Sequence, residues 1–465
     1  MHETTMKFLA LAALAVLFSP VLCQAMDGAP VSSAISAPAT TKLPFAEAGT
    51  LYKADRASLL IDDSADGVKE TDVWSRIRSG YAIPDVDNQL VAKHVTWYAT
   101  RPDYIARTTA RASHYLFHVV QELEKRGMPT ELALLPFIES AFNPQAFSSA
   151  NAAGMWQFVP GTGRDFNLKQ TMFKDDRRGV VASTDAALTY LQKLYGMFGD
   201  WQLALAAYNW GEGSVQKAIK KNQSLGKPTD FESLAELMPA ETRNYVPKLQ
   251  AVKNIIANPS QYGITLPLID NQPYFTTVDK TSDIDLTIAA QLAELSVAEF
   301  KALNPQFKRP VITGNNKTQI LLPKENAAKF NLNLAQWGHA LSTWTTLKIT
   351  GARERIETLA SRFGTTADVL RQANNIPQKT RLRAGSTILV PKTSASLNVD
   401  ISNEIADNAT MLFEADRPER KHASGRPIKL GKGHRQLTAP IALVKARVGR
   451  GGARAASKSL KHRSG

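Results

Sequence analysis

From Asp72 to about Gly263, apolar residues recur at spacings of three and four, the period of helices that bury one face. The stretch "DYIARTTARASHYLFHVVQELEKRG" predicts a helix over 103–127, stopped by Gly127. "DWQLALAAYNWGEG" (200–213) predicts a compact Ala-rich helix, capped by Asp200 and ended by Gly211 and Gly213. Between them lies "ELALLPFIES" (131–140), an almost unbroken apolar run with Glu139 near its end. Thr130 is its expected N-cap, Pro136 its expected bend, and Asn143-Pro144 its expected stop. After Pro267 the texture changes to short strands and short helices. Residues 283–324, ending "ILLPK", and 346–392, ending "ILVPK", each read strand, helix, helix, loop, strand. Aligning Asn304-Pro305 with Asn374-Asn375, and Leu322-Pro323 with Val390-Pro391, predicts an internal repeat.

The two ends lack this periodicity. "MKFLALAALAVLFSPVLCQA" (6–25) has a basic residue, an apolar stretch from Phe8 to Phe18 too short to span a bilayer, and a turn-prone Ser19-Pro20. It predicts a secretory signal cleaved after Ala25. Cys23 is the only cysteine, so cleavage there leaves no thiol or disulfide. Acylation of Cys23 as an outer-membrane lipoprotein is the alternative, disfavoured by the bulky Leu22. The expected plan is therefore multi-domain: signal 1–25, linker 26–71, helical domain 72–266, small βααβ modules at 267–330 and 344–393, and a disordered basic tail over 394–465. The net charge is +14, but between Arg417 and Gly465 stand 14 Lys and Arg against the single acid Glu419. The folded part is thus nearly neutral. Behind an export signal, such a tail points to anionic membrane or wall polymers, or to an inert solvated segment, rather than to nucleic acid.

A carboxylate carried into an apolar run either has a structural partner or uses a raised pKa. The company of Glu139 favours the second reading. "GMWQFVPGTGR" (154–164) offers an apparently exposed Trp156 and the amide of Gln157 in a turn, and "AAYNWGEG" puts Tyr208 and Asn209 at a helix end. Aromatic faces, amides and hydroxyls held this way suit an extended saccharide.

Taken in order, "ESAFNP", "GMWQFVPGTGR", "AAYNWGEG" and "ETRNYVPKL" (241–249) resemble the successive motifs of the soluble-lytic-transglycosylase family, and the paired repeats resemble LysM glycan-binding modules. The resemblance covers about 72–392. It implies a mainly α, lysozyme-like catalytic domain acting on peptidoglycan glycan strands, without cofactor or metal. It makes Glu139 the sole acid/base, and places Ser148, Gln157, Tyr208, Asn209 and Tyr245 against the sugar or the acid. Met155-Trp156 stands where the family favours Leu-Met, giving Trp156 a part in the cleft wall. Arg353-Glu354-Arg355-Ile356 replaces the "GDTL" junction that usually touches glycan in a LysM module.

With no obvious second carboxylate beside Glu139, the implied reaction is non-hydrolytic: protonated Glu139 releases the leaving sugar between N-acetylmuramic acid and N-acetylglucosamine. The carboxylate then takes the proton of the muramic C6 hydroxyl as a 1,6-anhydro ring closes. A hydrolytic muramidase and a catalytically inactive wall-binding scaffold remain as alternatives. His114 and His118, four apart, lack a third ligand for a metal and read as a stacked pair at the edge of the core.

Overall fold

The computed structural model describes residues 72–279, 282–313 and 318–415; the expected signal, the linker, and the tail from 416 onward lie outside them. The helical part begins with α1 (Val73–Ser79), α2 (Gln89–Ala99), α3 (Pro102–Ala112), α4 (Leu116–Lys125), a 3-10 turn (Thr130–Leu134) and α5 (Leu135–Ser140). It continues with α6 (Pro160–Asp165), α7 (Val180–Phe198), α8 (Trp201–Trp210), α9 (Glu212–Ser224), α10 (Phe231–Leu234) and α11 (Ala240–Ala257). At its centre α8 buries Leu203 to Tyr208 without a break. Three alanines in that run let α7, α9 and α11 pack closely around it. Asp200 caps α8 as expected, its Oδ1 accepting from the Leu203 amide at 2.7 Å, and Gly211 ends it at φ +88°.

Two local expectations change. The single helix expected over 103–127 is two helices, α3 and α4, separated at 113–115. Tertiary contacts override the periodicity there: Tyr115 is buried and donates its hydroxyl to the Ala302 carbonyl, and His114 stacks on Tyr274 at 4.4 Å. His118 leans on Phe275 instead of on His114, so the two histidines face separate aromatic partners. Burial holds both imidazoles below their ordinary pKa. Thr130 does not cap α5; its hydroxyl donates to the Ile77 carbonyl at 2.5 Å, while Pro136 starts the helix rather than bending it.

Glu131, in the same apolar run as Glu139, is the structural carboxylate. It is 1% exposed, accepts from the amides of Ala82 and Ile83, and lies 3.2 Å from Lys253 Nζ. A buried charge satisfied this fully stays in place as a fixed part of the core.

Beyond the helices come β1 (Phe275–Asp279), β2 (Ile284–Asp285), α12 (Leu286–Leu292), α13 (Val297–Leu303), β3 (Val311–Ile312), β4 (Gln319–Pro323) and α14 (Lys324–Ala335). The second module has β5 (Trp344–Lys348), β6 (Arg353–Glu354), α15 (Ile356–Arg362), α16 (Ala367–Asn374), β7 (Thr380–Arg383) and β8 (Thr387–Pro391). In both modules the outer strands pair antiparallel, Phe275 opposite Pro323 and Trp344 opposite Pro391. The repeat extends to single atoms. Asn304 donates to the Leu321 carbonyl and accepts from its amide at 2.7 and 2.9 Å; Asn374 does the same with Leu389 at 2.8 and 2.7 Å. Both asparagines are fully buried, and each locks its second helix to its closing strand.

The disorder expected from 394 begins too early. Residues 403–408 form α17 (Asn403–Asn408), and β9 (Phe413–Ala415) adds a third strand beside β7. Arg353, at the altered junction, pairs with Glu414 on that strand at 2.8 Å. The helical domain and the modules share contacts as well. The segment 171–175 lies along 306–309: the Asp175 amide donates to the Gln306 carbonyl, and the Lys308 amide to the Phe173 carbonyl, at 2.9 and 2.8 Å. Met172 and Phe173 then join Val311, Leu389, Ile401 and Ala406 in one apolar cluster shared by the helical domain, both modules and the segment after them.

Candidate active site

Glu139 is the penultimate residue of α5, and the chain leaves that helix through two consecutive left-handed residues, Ala141 at φ +50° and Phe142 at φ +55°. Left-handed backbone is unfavourable for side chains with a Cβ, and the strain persists because the surroundings fix it. Phe142 is fully buried with its amide on the Pro136 carbonyl, and Arg111 Nε donates to the Ala141 carbonyl at 2.7 Å. This exit turns Glu139 toward α11, where Tyr245 donates its hydroxyl to Glu139 Oε1 at 2.5 Å.

Glu139 is half-buried, but protein groups crowd its carboxyl closely enough for desolvation to dominate. Burial pushes it up to about 7. The Tyr245 hydrogen bond pulls the other way, the Glu241 carboxylate adds to the rise, and Lys248 opposes it. Glu241 stands four residues before Tyr245 on α11, on the same helix face. A second carboxylate therefore does lie within electrostatic reach, against the expectation from sequence. Its signal was present in "ETRNYVPKL", but only the fold brings that motif to Glu139. Burial also raises the Tyr208 and Tyr245 phenols well above their ordinary range, so both remain donors.

The other motif residues tie the neighbouring loop and helices to one another. Ser140 Oγ donates to the Met155 carbonyl at 2.9 Å, and Tyr208 donates to the Trp156 carbonyl at 2.9 Å. Thr242 donates to Asn209 Oδ1 at 2.7 Å, tying the end of α8 to the helix that carries Tyr245. Gln157, at φ +52°, folds its amide onto the Gly154 carbonyl at 2.8 Å. Ser148 closes the 148–152 turn, accepting from the Ala152 amide at 3.0 Å and donating its own amide to the Ala152 carbonyl.

Trp156 is a correction. Expected at the cleft surface, it is fully buried, and its indole donates to Thr184 Oγ1 at 3.0 Å. Its backbone carbonyl receives the Tyr208 hydroxyl. Sequence reasoning also missed the clamp behind this loop. Arg177 is buried in a two-pronged pair with Asp175 at 2.9 and 2.7 Å, and donates to the carbonyls of Asn151 and Phe158. Gly154 packs against it at φ +85°, where a Cβ would come within 1.9 Å of the Arg177 carbonyl oxygen. Among the described residues, no cluster of three or more His, Cys, Asp or Glu is placed to hold a metal.

Comparison with known proteins places the site in a class. The Transglycosylase SLT domain matches residues 119–231, which hold every motif residue named above except those on α11. The LysM-like domain of lytic transglycosylase MltD matches 274–338, and the LysM domain matches 354–391. The fold and site are those of a lytic transglycosylase with LysM modules. Membrane-bound lytic murein transglycosylase D of Escherichia coli K12 is 36% identical over 348 residues, covering 72% of this chain and 76% of that protein. The chain belongs to the membrane-bound lytic murein transglycosylase D family. A putative tributyltin chloride resistance protein of an Alteromonas species is 36% identical over 191 residues, 41% of this chain and 89% of the relative. A solved structure of an inactive mutant of lytic transglycosylase Slt from Pseudomonas aeruginosa matches at 25% identity and a TM-score of 0.25, over 32% of this chain and 25% of that one.

Proposed function

We propose that Glu139 is the single acid and base of a lytic cleavage of peptidoglycan, cutting between N-acetylmuramic acid and N-acetylglucosamine. The observation that carries this reading is a carboxyl raised to about 7 and held by a phenol that stays protonated. Such a group is largely protonated just below neutrality and still able to take a proton back. In the first step its proton goes to the glycosidic oxygen as the bond to C1 breaks. In the second, the C6 hydroxyl oxygen bonds to C1 and its proton returns to Glu139, leaving a 1,6-anhydro ring and no water consumed. The Tyr245 hydroxyl stabilises the carboxylate formed between the two steps.

Glu241 supports a second reading, a hydrolytic muramidase, because an acid in electrostatic reach could activate water. Mass spectrometry of digested sacculi separates the two. Fragment ends one water lighter than the reducing sugar support the lytic reaction, and reducing ends alone support hydrolysis.

The modules concentrate the enzyme on its polymer in this proposal. No helix among the described residues is long and apolar enough to cross a membrane. Export to the cell envelope rests on the 1–25 signal, and adhesion to anionic lipid or wall polymers on the charge of 417–465. Binding of the 417–465 peptide to anionic vesicles that survives high salt would contradict an electrostatic role.

A further inference from the structure

We propose that Arg178, beside the exposed ring of Phe147, is a specificity-determining residue that reads the free carboxylates of the peptide stems borne by the glycan strand. The proposal rests on the transglycosylase reading above. Phe147 is 56% exposed. It is tied to the site by a short path. Ser140, next to Glu139, bonds the Met155 carbonyl; the Gly154 amide bonds the Ala146 carbonyl at 3.0 Å; and Phe147 pairs with Ala153 across that turn. Phe147 also precedes Ser148.

The Arg178 guanidinium lies 5.6 Å from the Phe147 ring centre. Its neighbour Arg177 is neutralised by Asp175, but Arg178 makes no ion pair with any described residue, and its buried Nε has no hydrogen-bond partner. It stands two residues before α7, a 19-residue helix whose N-terminal dipole repels a cation and attracts an anion. Lys308, from the first module, adds positive charge within electrostatic reach of Arg178. The nearby carboxylates are taken, Asp175 by Arg177 and Asp176 by Lys174, so Arg178 is left without an anion. Along a strand whose muramic carboxyls are taken up in amide bonds to the stems, that anion is a stem carboxylate, which a guanidinium can grip with two hydrogen bonds. The open Phe147 ring provides an apolar face beside that grip.

The test compares glycan strands whose stem carboxylates are free with the same strands after those carboxylates are converted to amides, using the full chain. Arg178→Gln is expected to raise KM about tenfold on strands with free stem carboxylates with kcat unchanged, and to leave KM on the amidated strands unaltered. Arg178→Lys should recover part of the loss. Equal effects on both substrates, or none on either, would overturn the proposal. The same comparison made as binding affinity in a Glu139→Gln background reads Arg178 without turnover. Absence of anhydro ends with wild-type protein therefore sinks the reaction assignment, while the affinity comparison still decides Arg178.

Discussion

Tyr245 reaches Glu139 from 106 positions further along the chain, and its hydroxyl sits 2.5 Å from the carboxylate oxygen. The two residues act against each other. Burial drives Glu139 toward its neutral form, and the phenol draws it back toward its charged one. The balance leaves the proton exchangeable near neutrality.

Glu139→Gln keeps the shape and removes the proton. Turnover should fall at least about a thousandfold, as expected for losing a general acid whose base role is also lost. Stability should move in the opposite direction. The folded chain holds this proton to about pH 7, whereas an unfolded glutamate releases it near 4.5. Between those values the unfolded state binds fewer protons, so wild-type stability falls as pH rises through the window. At about 1.4 kcal/mol per pH unit, the loss approaches ~3 kcal/mol above pH 7, and the variant should not suffer it. Denaturant titrations at pH 5 and pH 8 measure this, and a variant less stable than wild type at pH 8 contradicts it.

Tyr245→Phe removes the hydrogen bond that lowers the Glu139 pKa while preserving the ring's packing. The alkaline limb of the pH profile of kcat/KM should move to higher pH, because the free acid then keeps its proton longer. The plateau should drop about tenfold as the carboxylate loses its stabilising donor. A limb displaced toward acid would reverse the assigned role.

Gly154→Ala adds a methyl group 1.9 Å from the Arg177 carbonyl oxygen at a backbone φ of +85°. The loop and the buried Arg177–Asp175 pair cannot both hold their places, so the cost should reach about 3 kcal/mol or more. A denaturant midpoint within 1 kcal/mol of wild type, on the scale of ordinary surface substitutions, would show that the loop yields.

Removing the modules should damage the catalytic domain as well as glycan binding. Phe173 is 2% exposed and packs in a cluster with Val311 and Leu389 of the modules and with Ile401 and Ala406 beyond them, and exposing a ring of that size costs about 2–3 kcal/mol. A chain stopping at 266 should melt below one stopping at 415 and turn over short soluble glycans more slowly. Equal melting and equal turnover would make the modules mere appendages.

Much of this was legible because local chemistry decided it. Asp200 caps α8 and Gly211 ends it by short-range rules, and the Asn304 and Asn374 clamps fall where the repeat aligns them. Glu139 stood out because a carboxylate in an apolar run needs a reason. What stayed hidden depended on distant partners. Trp156 looked like a sugar platform between glycines, but Thr184 on α7 receives its indole and the core encloses the ring. The 103–127 pattern gave no sign that Tyr115 would turn toward Ala302 and split the helix. Nothing in "DDRRG" sets Arg177 apart from Arg178, and only the folded loop reveals the four oxygens around it.

The ladder between 171–175 and 306–309 also bears on where the polymer is cut. Modules on slack linkers let a cleft sample many positions along a strand, whereas here the backbone bond from Asp175 to Gln306 begins two residues from the Arg177 clamp behind Gly154. If a module grips glycan, cleft and grip move as one body, and the enzyme becomes a gauge as well as a cutter. The number of sugars between hold and scission is then set by the protein, and early fragments should cluster at a preferred length. A featureless length distribution would indicate that the modules let go before each cut.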